Sequence, residues 1–134
     1  MTQTTGHRRT TVAIVDDSLP LQTRLAALIP QDGSAEVIAF ASTVFDAIHL
    51  VWDRSPDVVV LDFRLQEGTA LDVFEGISDK RPYPAIIVLT NYPDPIYRSK
   101  CLKAGAYRFL DKSTEFDQLT ETIREVSTRI HQGG

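Results

Sequence analysis

Apolar residues in this chain follow two rhythms. Positions 12–15, 37–40, 58–61 and 86–89 are apolar at successive residues, and a fifth run, 107–110, is mixed. Short continuous runs predict strands covered on both faces, as in a parallel sheet between helices. The segments between them carry helical spacing and start signals. Ser18 and Pro20 precede Leu21, Leu25, Leu28 and Ile29. Thr43 with Asp46, and Thr69 with Asp72, have capping-box spacing ahead of Ile48–Val51 and Val73–Ile77 respectively. Pro93-Asp94-Pro95 opens a fourth helix that Gly105 closes as a left-handed cap. Thr114 with Asp117 opens a fifth, striped by Phe116, Leu119, Ile123, Val126 and Ile130. The alternation predicts an α/β fold of five βα units in a doubly wound sheet.

Length and composition narrow this to one globular unit. The chain has 134 residues, 43% hydrophobic and 24% charged, which suits a single domain with its own core. The expected organisation is a loose tail over 1–9, with Arg8 and Arg9 solvated, a domain over 10–131 and a short tail over 132–134. A net charge of -4 argues against general affinity for nucleic acid or an anionic membrane. Cys101 is the sole cysteine, so no internal disulfide forms, and a reducing, cytoplasmic setting is expected. No apolar run approaches the ~18 residues of a membrane span. His7, His49 and His131 show no ligand spacing; Trp52 reads as packing and Cys101 as a small helix residue.

The polar residues that close the apolar runs carry the chemistry. Asp16 and Asp17 follow the first run, Asp62 the third, Thr90 the fourth, and Lys112 lies just past the fifth. In one parallel sheet these groups share the carboxyl edge, where ligands of open α/β sheets bind. Carboxylates crowded to 4 Å repel by about 4 kcal/mol per pair at an effective dielectric near 20. A hard divalent cation relieves that repulsion. Three carboxylates, a hydroxyl and an ammonium thus suit a divalent metal and a phosphoryl group. The bland readings are a helix cap at Asp16 or Asp17, a turn threonine and a solvated lysine; they require five independent coincidences at one edge.

These residues, with Ala104-Gly105-Ala106-Tyr107-Arg108-Phe109-Leu110-Asp111-Lys112, resemble the receiver domain of bacterial two-component response regulators over about residues 10–131. The resemblance implies a flavodoxin-like (βα)₅ fold with parallel strand order 2-1-3-4-5. It implies that Asp62 accepts a phosphoryl group from phosphohistidine. Asp16, Asp17, Asp62 and the backbone carbonyl of Arg64 would then bind Mg²⁺, with Mn²⁺ as a substitute. Lys112 and Thr90 would take phosphoryl oxygens, and Thr90 with Phe109 would form the switch. Catalysis would extend only to the domain's own phosphorylation and dephosphorylation. The chain departs from the family pattern at Gln66, Ala70, Asn91 and Ser113. A cis peptide after Lys112 would cost about 3 kcal/mol because Ser113 is not proline. Arg64 and Tyr92 flank the phosphoryl position, with Asn91 beside them. Both are large, and a slowly decaying phosphoform is expected.

The expected role is that of a single-domain response regulator without an output module. Its partners would be a sensor histidine kinase or histidine phosphotransfer protein. Downstream, a protein or a second copy would dock on the face formed by helix 4, strand 5 and helix 5, without direct DNA binding. The fourth helix has a thin apolar stripe broken by Arg98, Lys100 and Lys103, which suits a moving part. The alternatives are a phosphorylation-independent docking module and a phosphate sink. A phosphohydrolase using an aspartyl phosphate would want DxD where the chain has Asp62-Phe63-Arg64. A flavodoxin would want a glycine- and hydroxyl-rich loop where it has Asp16-Asp17-Ser18-Leu19-Pro20.

Overall fold

The computed structural model describes residues 8–91 and 93–133, with side chains described through 130. The tail over 1–7, Tyr92, Gly134 and the His131 side chain lie outside the described residues. The order is β1 (Thr10–Val15), α1 (Leu19–Ala27), β2 (Ala35–Ala41), α2 (Val44–Arg54), β3 (Val58–Leu61), β4 (Arg64–Leu65), β5 (Gly68–Thr69), α3 (Ala70–Gly76), β6 (Ala85–Thr90), α4 (Pro95–Ala104), β7 (Arg108–Asp111) and α5 (Gln118–Gly133). Five strands form one parallel sheet in the order β2-β1-β3-β6-β7. This is the expected flavodoxin-like arrangement. The small antiparallel β4–β5 hairpin was not foreseen; it shifts the labels of the last two sheet strands to β6 and β7.

The continuous apolar runs have a direct structural cause. In β1, Ala13 and Val15 pack into a core with α2 and α3, whereas Val12 and Ile14 pack into a second core with α1 and α5. β3 and β6 divide in the same way, Val59, Leu61, Ile86 and Val88 to one side and Val58, Val60, Ile87 and Leu89 to the other. Every residue of these apolar runs therefore packs into one of the two helix-covered cores, as side chains alternate between faces.

Helix starts match the sequence signals at four of five positions. Ser18, Thr43, Thr69 and Asp94 are N-caps, Thr69 and Asp72 complete a capping box, and Gly105 closes α4 at φ 119. Gly76 is a close-approach position: a Cβ there would sit 2.3 Å from Ile48, so α2 and α3 could not pack as they do. Among the described residues the cis peptide is Arg81–Pro82, not Lys112–Ser113.

Three expectations need correction. β2 is an edge strand covered incompletely, with Phe40 50% exposed; an apolar run does not reveal that its strand lies at the sheet margin. α5 begins at Gln118, not at Thr114. The Glu115 carboxylate accepts from the Asp111 backbone N–H, and the Glu115 N–H donates to the Asp111 carbonyl. Residues 112–117 are thereby held in turns, and Phe116 joins the core from outside the helix.

Finally, Arg8 is not simply solvated: its guanidinium makes two bonds, 2.6 and 3.0 Å, to Asp57 at the entry to β3. Asp57 also accepts from the Thr11 N–H and hydroxyl. Burial works against its charge, but the bonds from Arg8 and Thr11 outweigh it and hold the carboxyl below its ordinary 3.8. A depressed carboxylate stabilises the fold above its unfolded-state value and loses that contribution as pH falls through its folded-state value. Asp57→Asn should cost about 1–3 kcal/mol near neutrality and flatten the acid limb of the stability curve. Parallel denaturant melts from neutral pH downward check this; an unchanged acid limb would contradict it.

Candidate functional site

The sheet ladder itself positions the acidic cluster. Past the end of β1, the Asp16 N–H donates to the Ala41 carbonyl at 2.9 Å; past the end of β3, the Asp62 N–H donates to the Val15 carbonyl at 2.9 Å. The Lys112 N–H likewise donates to the Thr90 carbonyl at 2.8 Å. Each residue thus continues the hydrogen-bonding direction of its strand by one step, and its side chain is delivered to the carboxyl edge. Chain order reverses here, since β2 lies on one side of β1 and β3 on the other. Such a switch point is where open α/β sheets bind ligands.

Carboxylate oxygens of Asp16, Asp17 and Asp62 all lie within 4.8 Å of one another. Lys112 Nζ bridges two of them, 2.9 Å from Asp16 Oδ2 and 3.3 Å from Asp62 Oδ2. Asp16 is buried, Asp17 exposed and Asp62 half-buried. Asp16 Oδ1 accepts from the Ser18 N–H at 2.9 Å, and the Asp16 carbonyl accepts from Gln22 Nε2 at 2.7 Å. The cap of α1 is therefore Ser18, not either aspartate, and one Asp16 oxygen is left to face Lys112. Burial pushes the Asp62 carboxyl up to about 6; the Lys112 ammonium opposes this, while the charges of Asp16 and Asp17 add to it.

Three carboxylates beside one ammonium leave an excess of negative charge in a restricted space. The donor set is all oxygen, which suits a small hard cation over thiophilic or imidazole-seeking metals. The residues present therefore fit a divalent metal of the Mg²⁺ type. His49 meets Phe45 at a tilted angle of 45° on the exposed side of α2, apart from the cluster.

Thr90 is fully buried at the end of β6, in register with Asp111. Asn91 is exposed beside it. Phe109 is buried in β7, where its carbonyl accepts from Arg98 Nη1 of α4 at 3.0 Å. α4 buries little besides Cys101, and Ile96 and Leu102 are exposed. Sequence reasoning missed a link from the site to this helix. Phe63, next to Asp62, stacks on Tyr97 of α4 with centroids 4.5 Å apart. The Arg64 guanidinium lies over both rings and donates to the Tyr97 hydroxyl at 3.3 Å. An aromatic after Asp62 and another on α4 were the available signals, but nothing in their spacing pairs them.

The sequence model of the response regulator receiver domain matches residues 12–124. The chain belongs to the response regulator receiver family. Among similar proteins, the photosynthetic apparatus regulatory protein RegA of Rhodovulum sulfidophilum is 34% identical over 114 residues, covering 82% of this chain and 59% of that protein. The chain spans little more than half the length of the curated relatives it matches. A LuxR-family DNA-binding response regulator from Staphylococcus aureus has a similar structure, with TM-score 0.78 and 28% identity, covering 88% of this chain and 98% of that one. The receiver domain of AraT, a response regulator from Geobacillus stearothermophilus, has TM-score 0.82 and 23% identity, covering 94% and 98% respectively, a likeness of fold. Receiver domains serve phosphorelay signalling, and this chain carries that family's acidic edge.

Proposed function

We propose that this receiver takes a phosphoryl group from phosphohistidine onto Asp62 and that the transfer switches a protein-docking face. The observation that carries the reading is the bridged cluster: three carboxylates at one sheet edge, with Lys112 between Asp16 and Asp62. An Asp62 oxygen attacks phosphorus; the O–P bond forms as the N–P bond of the donor histidine breaks, giving an acyl phosphate and a free imidazole. Lys112 turns from the Asp62 carboxylate to a phosphoryl oxygen, and the Thr90 hydroxyl takes another. Asp16, Asp17, Asp62 and the Arg64 carbonyl would hold Mg²⁺, which when bound offsets the acidic charge and polarises the phosphoryl group.

The new charge and acceptor oxygens draw Thr90 inward, and Phe109 repacks beside it. Phe109 has no hydroxyl, so this half of the switch rests on packing. α4, lightly anchored and tied to the site by Phe63 and Tyr97, is the moving element. The face of α4, β7 and α5 then meets its partner, a downstream protein or a second copy. A histidine kinase or phosphotransfer protein supplies the phosphoryl group in the cytoplasm, and the domain turns over no separate substrate. The test is incorporation of label from radioactive acetyl phosphate. Uptake should require Mg²⁺ and stop with chelator; uptake independent of metal would overturn the proposed site.

Arg64 adds a prediction about lifetime. Its side chain, held over Phe63 and Tyr97, flanks the phosphoryl position and restricts hydrolytic water. Arg64→Ala keeps the backbone carbonyl and should shorten the phosphoform's life by roughly threefold to tenfold. Decay of the labelled protein after donor removal measures this; equal lifetimes would remove Arg64 from the account.

A further inference from the structure

We propose that a cleft at the sheet edge opposite Asp62 binds a small carboxylate with an apolar, preferably aromatic, body. The cleft has a volume of about 610 Å³ and lies at the amino ends of β6 and β7, against α5. Its size falls in the range of small-molecule sites, which combine apolar walls with a few placed polar groups. Ala85, Val126 and Ile130 supply apolar surface, Tyr83 and Tyr107 supply rings, and Arg129 stands at the rim.

Two features point to a ligand. First, the Tyr83 hydroxyl is buried and has no hydrogen-bond partner, alone in this among the described side chains. Buried hydroxyls are nearly always satisfied, and an orphan carries a desolvation cost. This one lies over the C-cap of α4: a Cβ on Gly105 would come within 3.1 Å of it. Gly105 also lines the cleft, so the hydroxyl lies just behind its wall, and a small turn of the Tyr83 ring would bring it to an acceptor seated there.

Second, the cationic end has spare capacity. Glu125 is engaged by the Tyr107 hydroxyl and by Arg108 Nη2 at 2.7 Å. Arg129 donates to the Tyr107 hydroxyl at 3.1 Å and makes no ion pair among the described residues. Most of its fork of donors is available for a carboxylate, the anion it matches best. An aryl carboxylate would lay its ring between the tyrosines and the α5 wall, its anionic end on Arg129 and an oxygen near Tyr83. Residues 105–107 join α4 to β7, so such a ligand touches the joint of both elements and leans on α5. The site does not depend on the phosphoryl reading.

The experiment is an NMR titration of the isotope-labelled chain with phenylacetate, using neutral phenylacetamide as control. Saturable shifts should be confined to amides at 85, 105–107 and the facing turn of α5, with phenylacetamide about tenfold weaker. Arg129→Gln should weaken phenylacetate about tenfold. Tyr83→Phe should weaken it severalfold without lowering thermal stability, because the hydroxyl has no partner to lose. No saturable shift by about 20 mM, equal response to the amide, or wild-type affinity in either folded variant would overturn the proposal.

Discussion

Asp62→Asn protein, incubated with Mg²⁺ and acetyl phosphate, should gain no phosphoryl mass while keeping its fold. The amide has almost the shape of the carboxylate, but it lacks the charge and nucleophilicity that attack on phosphorus needs. Its backbone tie to Val15 is untouched, and Lys112 keeps its 2.9 Å partner Asp16. The substitution removes one of three crowded, partly desolvated negative charges. In metal-free buffer the variant should therefore melt a few degrees higher than the wild type. Intact-mass spectra and thermal melts read the two effects together. Labelling of the variant would move the acceptor elsewhere; a lower melting temperature would mean that the cluster is not under repulsive strain.

The Lys112→Ala variant should suffer the largest structural loss. The Lys112 side chain is 6% exposed, and its ammonium contacts both Asp16 and Asp62. Removing it leaves the carboxylates with no internal counter-charge, and breaking a buried pair typically costs about 3–5 kcal/mol. For a chain of this size that corresponds to a fall on the order of 10 °C in metal-free buffer. Divalent cation should recover part of the loss, because it binds where the charge is least compensated. Phosphoryl uptake should slow about 100-fold, the scale for removing one donor to a transition-state oxyanion. Melts with and without Mg²⁺, alongside labelling rates, check this. A variant with wild-type stability in chelator would show that Lys112 balances nothing.

The residues that could be read from sequence share one property: local pattern decides them. Asp16, Asp62 and Thr90 stand immediately beyond runs whose both-face burial is written in consecutive apolar letters, Lys112 lies two residues past a mixed run, and the ladder carries each to the same edge. Ser18, Thr43, Thr69, Asp94 and Gly105 act within one helical turn of themselves. The misreadings depend on distant partners. Whether 37–40 is central or marginal depends on which strands lie beside it. Arg8 finds Asp57 across 49 positions. Phe63, Arg64 and Tyr97 meet through the packing of α4, and the Tyr83 hydroxyl is orphaned by what fails to reach it. Thr114 and Asp117 imitate a cap because spacing does not register Glu115 turning back to Asp111.

The most direct test of the central claim is borohydride reduction of the wild-type protein after incubation with Mg²⁺ and acetyl phosphate, followed by peptide mass mapping. An acyl phosphate is reduced to the alcohol, so the account predicts homoserine at position 62 alone, and only when Mg²⁺ was present. Conversion at another carboxylate, or none at position 62 under conditions that leave the protein folded, would contradict it.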